Sequence, residues 1–195
     1  MAETWTRKGN MLYATFTKEM KGLLRSMVGK TMKSYEGDFC GTKRVYGVCR
    51  IHLGRFSIEL QNEVQGMPFF EGEEDIPVFT CRMIGENDPF WPETQGAETL
   101  SYMVDEKIRE VDIATDVIRV NTDEYEITID HALIIKTDRH CYSFYKDWMY
   151  GETINIVVTD SEPELYPIEK VKEEWSDQGE DRISVRRTVQ PLEYL

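Results

Sequence analysis

The chain has 195 residues, 41% of them hydrophobic and 30% charged, four cysteines and a formal net charge of −13. That length suits one domain or two small ones with a self-sufficient core, so no disulfide or metal staple is required. No apolar run is long enough to span a bilayer, no apolar stretch follows Ala-Glu-Thr-Trp-Thr-Arg-Lys at the start, and Cys40, Cys49, Cys81 and Cys141 form no CxxC pair. Together these features exclude a zinc knuckle and a secreted disulfide scaffold, and the expectation is a cytoplasmic protein with reduced thiols, no metal and no cofactor.

In chain order, Thr17 is placed to cap a helix whose apolar face is Met20, Leu23, Leu24, Met27 and Val28, with Gly29 ending it. The string Leu24-Arg-Ser-Met-Val-Gly-Lys-Thr31 ends like a phosphate-binding loop. It has Leu where the first Gly belongs and a helix where a buried strand should lead in, so it cannot curl into a phosphate nest. Next, Cys49, Ile51 and Leu53 alternate on odd positions and Phe56, Ile58 and Leu60 on even ones. A two-residue hairpin turn at Gly54-Arg55 flips the parity and puts all six on one face.

Glu71, Glu73, Glu74 and Asp75 follow as the densest carboxylate cluster, without calcium-loop spacing, which suggests a solvated hairpin tip. From Gly85 to Thr99 the chain holds two Pro and two Gly and contains Asp88-Pro-Phe-Trp-Pro92, a loop or linker. Short alternating segments between Lys107 and Thr137 predict consecutive antiparallel strands. Within them parity flips again across Asp130-His131, between Ile127, Ile129 and Ala132, Ile134; a second hairpin turn is the leading reading and a bulge in a longer strand the competing one. A short helix from Pro167 to Trp175, with Ile168, Val171 and Trp175 on one face, precedes a last strand carrying Ile183, Val185 and Val189.

A register of about 76 residues links the two halves: Ile51, Leu53, Phe56 and Ile58 recur as Ile127, Ile129, Ala132 and Ile134, Asn62 as Asp138, and Ile76 and Val78 as Ile154 and Ile156. The fold expected from this is α+β, mainly antiparallel sheet built from two related β-meanders, with an N-terminal helix and a short C-terminal helix. Its division is 1–84 for the first helix and meander, 85–104 for the linker and 105–195 for the second meander and helix, or one compact domain overall.

No catalytic constellation emerges. There is no HExxH, no GxSxG and no Ser-His-Asp order, and Cys141 cannot meet the adjacent His140 side chain to side chain on a strand. His52 and His131 would have to be brought to it by the fold. Charge is the stronger lead: residues 1–50 carry ten basic and four acidic side chains, whereas residues 51–195 carry 13 and 32. A negative body repels nucleic acid and attracts basic protein surfaces. The expected function is a non-enzymatic interaction module, such as an inhibitor, immunity-type or adaptor protein. It would offer a basic partner an acidic surface of Glu73, Glu74 and Asp75 with the aromatic anchors Trp91, Trp148 and Tyr150. The alternatives are a ligand-binding protein or enzyme with its site in the cleft between the repeats, and a DNA mimic whose acids line one elongated face.

Overall fold

The computed structural model of the chain describes residues 5–40, 45–69, 72–85, 87–90, 98–121, 125–146, 151–176 and 182–194. The elements are β1 (Thr6–Lys8), β2 (Met11–Ala14), α1 (Lys18–Arg25), β3 (Thr31–Cys40), β4 (Val45–His52), β5 (Phe56–Phe69), β6 (Gly72–Gly85) and β7 (Glu98–Val120). They continue with β8 (Tyr125–Thr137), β9 (Cys141–Lys146), β10 (Ile154–Thr159), α2 (Ile168–Ser176), β11 (Ile183–Pro191) and a 3-10 turn at Leu192–Tyr194. The protein is mostly β, and β8, β9, β10, β4, β3 and β7 pair in that order and close through β7–β8 into a six-stranded barrel.

This overturns the expected α+β arrangement of two related meanders, and the reason lies in the two parity flips. At Gly54-Arg55 the chain reverses: Leu53 N donates to Phe56 O at 3.0 Å, Gly54 sits at φ +94°, and Ile51 pairs with Ile58 and Cys49 with Leu60. At Asp130-His131 the strand runs straight on. Thr115 pairs with Asp130 and Ala114 with Ala132, leaving His131 as the extra residue of a bulge. A bulge inverts side-chain parity as a two-residue turn does, but it does not reverse the chain. The matched pair Asn62 and Asp138 also part company, since Asn62 lies inside β5 while Asp138 lies in the turn between β8 and β9.

Long strands close the barrel by changing partners along their length. In β7, residues 98–107 pair with β3, residues 108–120 pair with β8, and residues 112–120 pair with β11. An extra residue near Asp105, at φ +56°, bends β7 where the partner changes. One edge of β4 is shared in the same manner. Val48–His52 pair with β5 and Val45–Tyr46 with β10, so the β5–β6 hairpin leaves the barrel as an arm.

Tyr35, Ile51, Leu60, Phe79, Ile113, Leu133, Tyr142 and Phe144 are among the residues that fill the main core. The distal arm buries Met67, Ile76 and Val78 in a second core with Leu12, Ile118, Ile127, Val171 and Trp175. Tyr125 Oη donates to Pro68 O at 2.6 Å and Asn62 Nδ2 to Gly151 O at 2.7 Å, pinning the arm in place.

Both helices form where periodicity places them, with small differences. Thr17 accepts the Met20 amide at 3.2 Å, as an N-cap should. The helix ends at Arg25, earlier than its apolar pattern, because Gly29 N donates to Ile108 O and Ile108 N to Lys30 O, drawing the chain into the sheet. Val28 is left exposed. In β11, Arg187 and not Val189 takes the inward position.

One glycine is required by packing. A Cβ on Gly37 would stand 2.3 Å from Cδ1 of the buried Tyr46 ring. Gly37→Ala is therefore expected to cost about 1–3 kcal/mol through overpacking, measured by urea denaturation; a change within about 0.5 kcal/mol would show that the ring moves aside freely.

Candidate functional site

Consecutive outward positions on paired strands build a groove beside α1. Glu59, Gln61 and Glu63 alternate along β5, and Arg82 and Thr80 lie directly opposite Glu59 and Gln61 on β6. The wall is α1, whose Leu24 is buried in the core while Met20 and Leu23 are only partly covered and face the groove with Thr17 and Glu19. The cavity measures about 590 Å³, within the range of roughly 300–1,000 Å³ typical of ligand pockets. Its lining is mainly apolar, and burial pushes the Cys81 thiol up to about 12, so this sulfur is no thiolate nucleophile.

A row of alternating charge crosses the outer face of four strands and ends at this groove. Glu36, Arg50, Glu59 and Arg82 are register neighbours on β3, β4, β5 and β6. Arg50 lies 3.7 Å from Glu36 and 3.1 Å from Glu59, and Arg82 reaches Glu59 at 2.5 Å. Arg50 also donates to the carbonyls of Asp88 and Pro89 at 2.7 and 3.0 Å, and its guanidinium sits 5.2 Å from the Phe90 ring centroid. Glu59 is thus neutralised from two sides, and the Arg82 charge is engaged. Glu19 and Glu63 make no ion pair among the described residues.

A second constellation is wholly buried. Arg187 Nε donates to Asp116 Oδ1 and its Nη2 to Asp116 Oδ2, both at 2.7 Å, and Nη1 donates to Tyr166 O. His131 stacks on Tyr145 with its Nδ1 3.5 Å from Asp116 Oδ2, yet neither ring nitrogen has a hydrogen-bond partner among the described residues. Burial, then the Arg187 and Lys146 charges, hold its pKa well below the usual value. Asp130, buried within β8, accepts from Phe16 N at 2.7 Å and Thr115 Oγ1 at 2.6 Å, and burial raises its pKa. Lys146 is fully buried, donates to Pro77 O on the arm, and is brought down to about 7 by desolvation.

The residues expected to carry function are scattered. Glu73 and Asp75 are exposed on β6 opposite Pro68 and Gly66, and Glu74 lies opposite Met67 in the same strand. Glu71, Trp91, Trp148 and Tyr150 lie outside the described residues. Cys141 is buried with a raised pKa from desolvation, His140 is 2.7 Å from Glu106, and His52 is 3.2 Å from Glu36 with Ser57 Oγ 2.7 Å from its Nδ1. The fold therefore brings no histidine into a catalytic pair with Cys141 through these contacts.

The groove and the buried cluster were not anticipated. Two signals pointed to the cluster: Lys146 continues the inward register of Phe144, and Arg187 interrupts the even spacing of Val185 and Val189. Among the described residues no group of three or more His, Cys, Asp or Glu is placed to hold a metal ion, and no helix is long and apolar enough to cross a membrane. Comparison with protein-family models, curated proteins and solved structures finds no match to this chain.

Proposed function

We propose that the protein is a non-enzymatic, cytoplasmic interaction module whose α1/β5–β6 groove receives a basic, amphipathic segment of a protein partner. The observation that carries this reading is the groove's make-up. Met20 and Leu23 offer incompletely buried apolar surface, Glu63 offers a carboxylate with no ion pair among the described residues, and the Arg82 guanidinium in the lining is occupied by Glu59. An apolar wall supplies affinity, and a carboxylate at the rim selects cations and rejects phosphate backbones. The exposed Glu73 and Asp75 on the arm add to the negative field that steers such a partner.

The test uses synthetic peptides alternating Lys with Leu, and the same peptides with Glu in place of Lys, titrated against the intact protein. The basic peptide should bind, more weakly at high salt, and the acidic one should not. Glu63→Lys should weaken binding by about tenfold, mainly through faster dissociation, whereas Glu73→Lys with Asp75→Lys should slow association in a salt-dependent manner. Equal binding of both peptides, or indifference to Glu63→Lys, would refute the groove as the site.

A further inference from the structure

β6 is an edge strand: it pairs with β5 and with no other strand among the described residues. Successive residues of an antiparallel strand turn their backbone N–H and C=O groups to opposite sides. The Phe56 carbonyl faces β4, where it accepts from Leu53 N, so Ser57, Glu59 and Gln61 turn theirs toward Ile84, Arg82 and Thr80 of β6. The odd-numbered residues of β6 therefore direct their backbone groups off the free edge. Hydrogen bonds on that side have this phase: Lys146 Nζ donates to Pro77 O, Asp88 N to Gly85 O at 3.2 Å, and Gly85 N to Asp88 Oδ2 at 2.8 Å.

The edge is closed at both ends and open between them. Distally, Glu73 and Asp75 put exposed charges on it, and Pro77 has no N–H to offer and a carbonyl already engaged, devices that keep other strands away. Proximally, Asp88 occupies both backbone groups of Gly85. Phe79 is 1% exposed and out of reach. Cys81 and Met83 remain, and their backbones make no hydrogen bond on this side among the described residues. Cys81 lines the groove beside α1, its Sγ 3.9 Å from Met20 O, and Met83 follows it along the strand at 62% exposure.

We propose, resting on the groove as the partner site, that the basic segment is held there as an added β-strand, hydrogen-bonded to the backbone of Cys81 and Met83. Side chains of such a strand alternate between two faces. One is the face of Cys81, where Met20 and Leu23 of α1 offer partly buried apolar surface. The other is the face of Thr80, Gln61 and Glu63, where the Glu63 carboxylate has no ion pair among the described residues. The complementary segment alternates apolar with basic residues, a pattern that a helix would scatter around its circumference.

The probe is the alternating Lys-Leu peptide, with two further versions N-methylated at every Leu amide or at every Lys amide. In an added strand only one of these sets of amides faces β6. One version should therefore bind at least about tenfold more weakly than the parent, and the other within about threefold of it. In the protein, Met83→Pro removes the edge N–H without touching a bond to β5, and should weaken the parent peptide at least about tenfold. Met83→Ala, which keeps the N–H, should weaken it far less. Equal effects of the two methylated versions, or Met83→Pro binding like the wild type, would overturn strand addition and leave the groove as the site. Failure of the wild type to bind the parent peptide would overturn both. Should Met83→Pro not fold, the methylated pair against the wild-type protein decides alone.

Discussion

Replacing Arg187 with alanine should destabilise the protein by about 3–5 kcal/mol, the cost of stranding one partner of a buried ion pair. Asp116 is fully buried and takes both of its charge-assisted bonds from Arg187, so the substitution leaves a carboxylate without water or donor. The nearest remaining group is His131, 3.5 Å away. Loss of the Arg187 charge removes one of the causes that hold the His131 pKa down, but burial, the largest, and the Lys146 charge remain, so His131 does not replace the lost partner at neutral pH. The double variant Asp116→Leu with Arg187→Met should cost far less than Arg187→Ala, because it removes both charges together. Urea denaturation of the three proteins between about pH 5 and pH 8 decides the matter. A loss under about 1 kcal/mol for Arg187→Ala would mean that the pair is hydrated and contributes no more than a surface bridge.

The second large effect belongs to Lys146. Its folded-state pKa is about 7 against 10.5 for the free side chain, so the unfolded chain takes up the proton first as pH falls. Stability must then rise with pH from about 7 upward, with a slope near 1.4 kcal/mol per pH unit for one fully differential proton. The informative window is about pH 7 to 8.5. Below it His131 titrates in the unfolded chain, and above it the buried thiols of Cys49 and Cys81, raised by desolvation, act in the opposite direction. Across that window the wild type should gain about 2 kcal/mol, and Lys146→Met should flatten the rise and be the more stable protein at pH 7. A wild-type slope that survives the substitution would assign the proton to another group.

The local physics of the chain was legible in its residues. The Thr17 cap, the Gly54 turn and the apolar face of α2 depend on neighbours a few positions apart, where periodicity and turn chemistry act directly. So did the apolar alternation of the strands, which specifies what is buried without specifying against what. Tertiary structure decided the rest. At Asp130-His131 the pattern is equally consistent with a turn and with a bulge, and the choice fell to β7, whose pairing on both sides of Ala114 and Thr115 keeps β8 continuous. Once β8 runs on, the two halves cannot be equivalent meanders, and β7 and β8 close a barrel.

The groove was hidden for a related reason. Glu59, Gln61 and Glu63 read as an ordinary solvated strand face until α1 stands beside them. Lys146 and Arg187 look like surface charges in isolation, because burial is a property of the strands around them. Composition and periodicity thus determined a β-rich, acidic chain with two capped or amphipathic helices. Barrel closure, the arm and the buried charges depend on contacts between residues such as Asp116 and Arg187, 71 positions apart, and only the assembled chain specifies those.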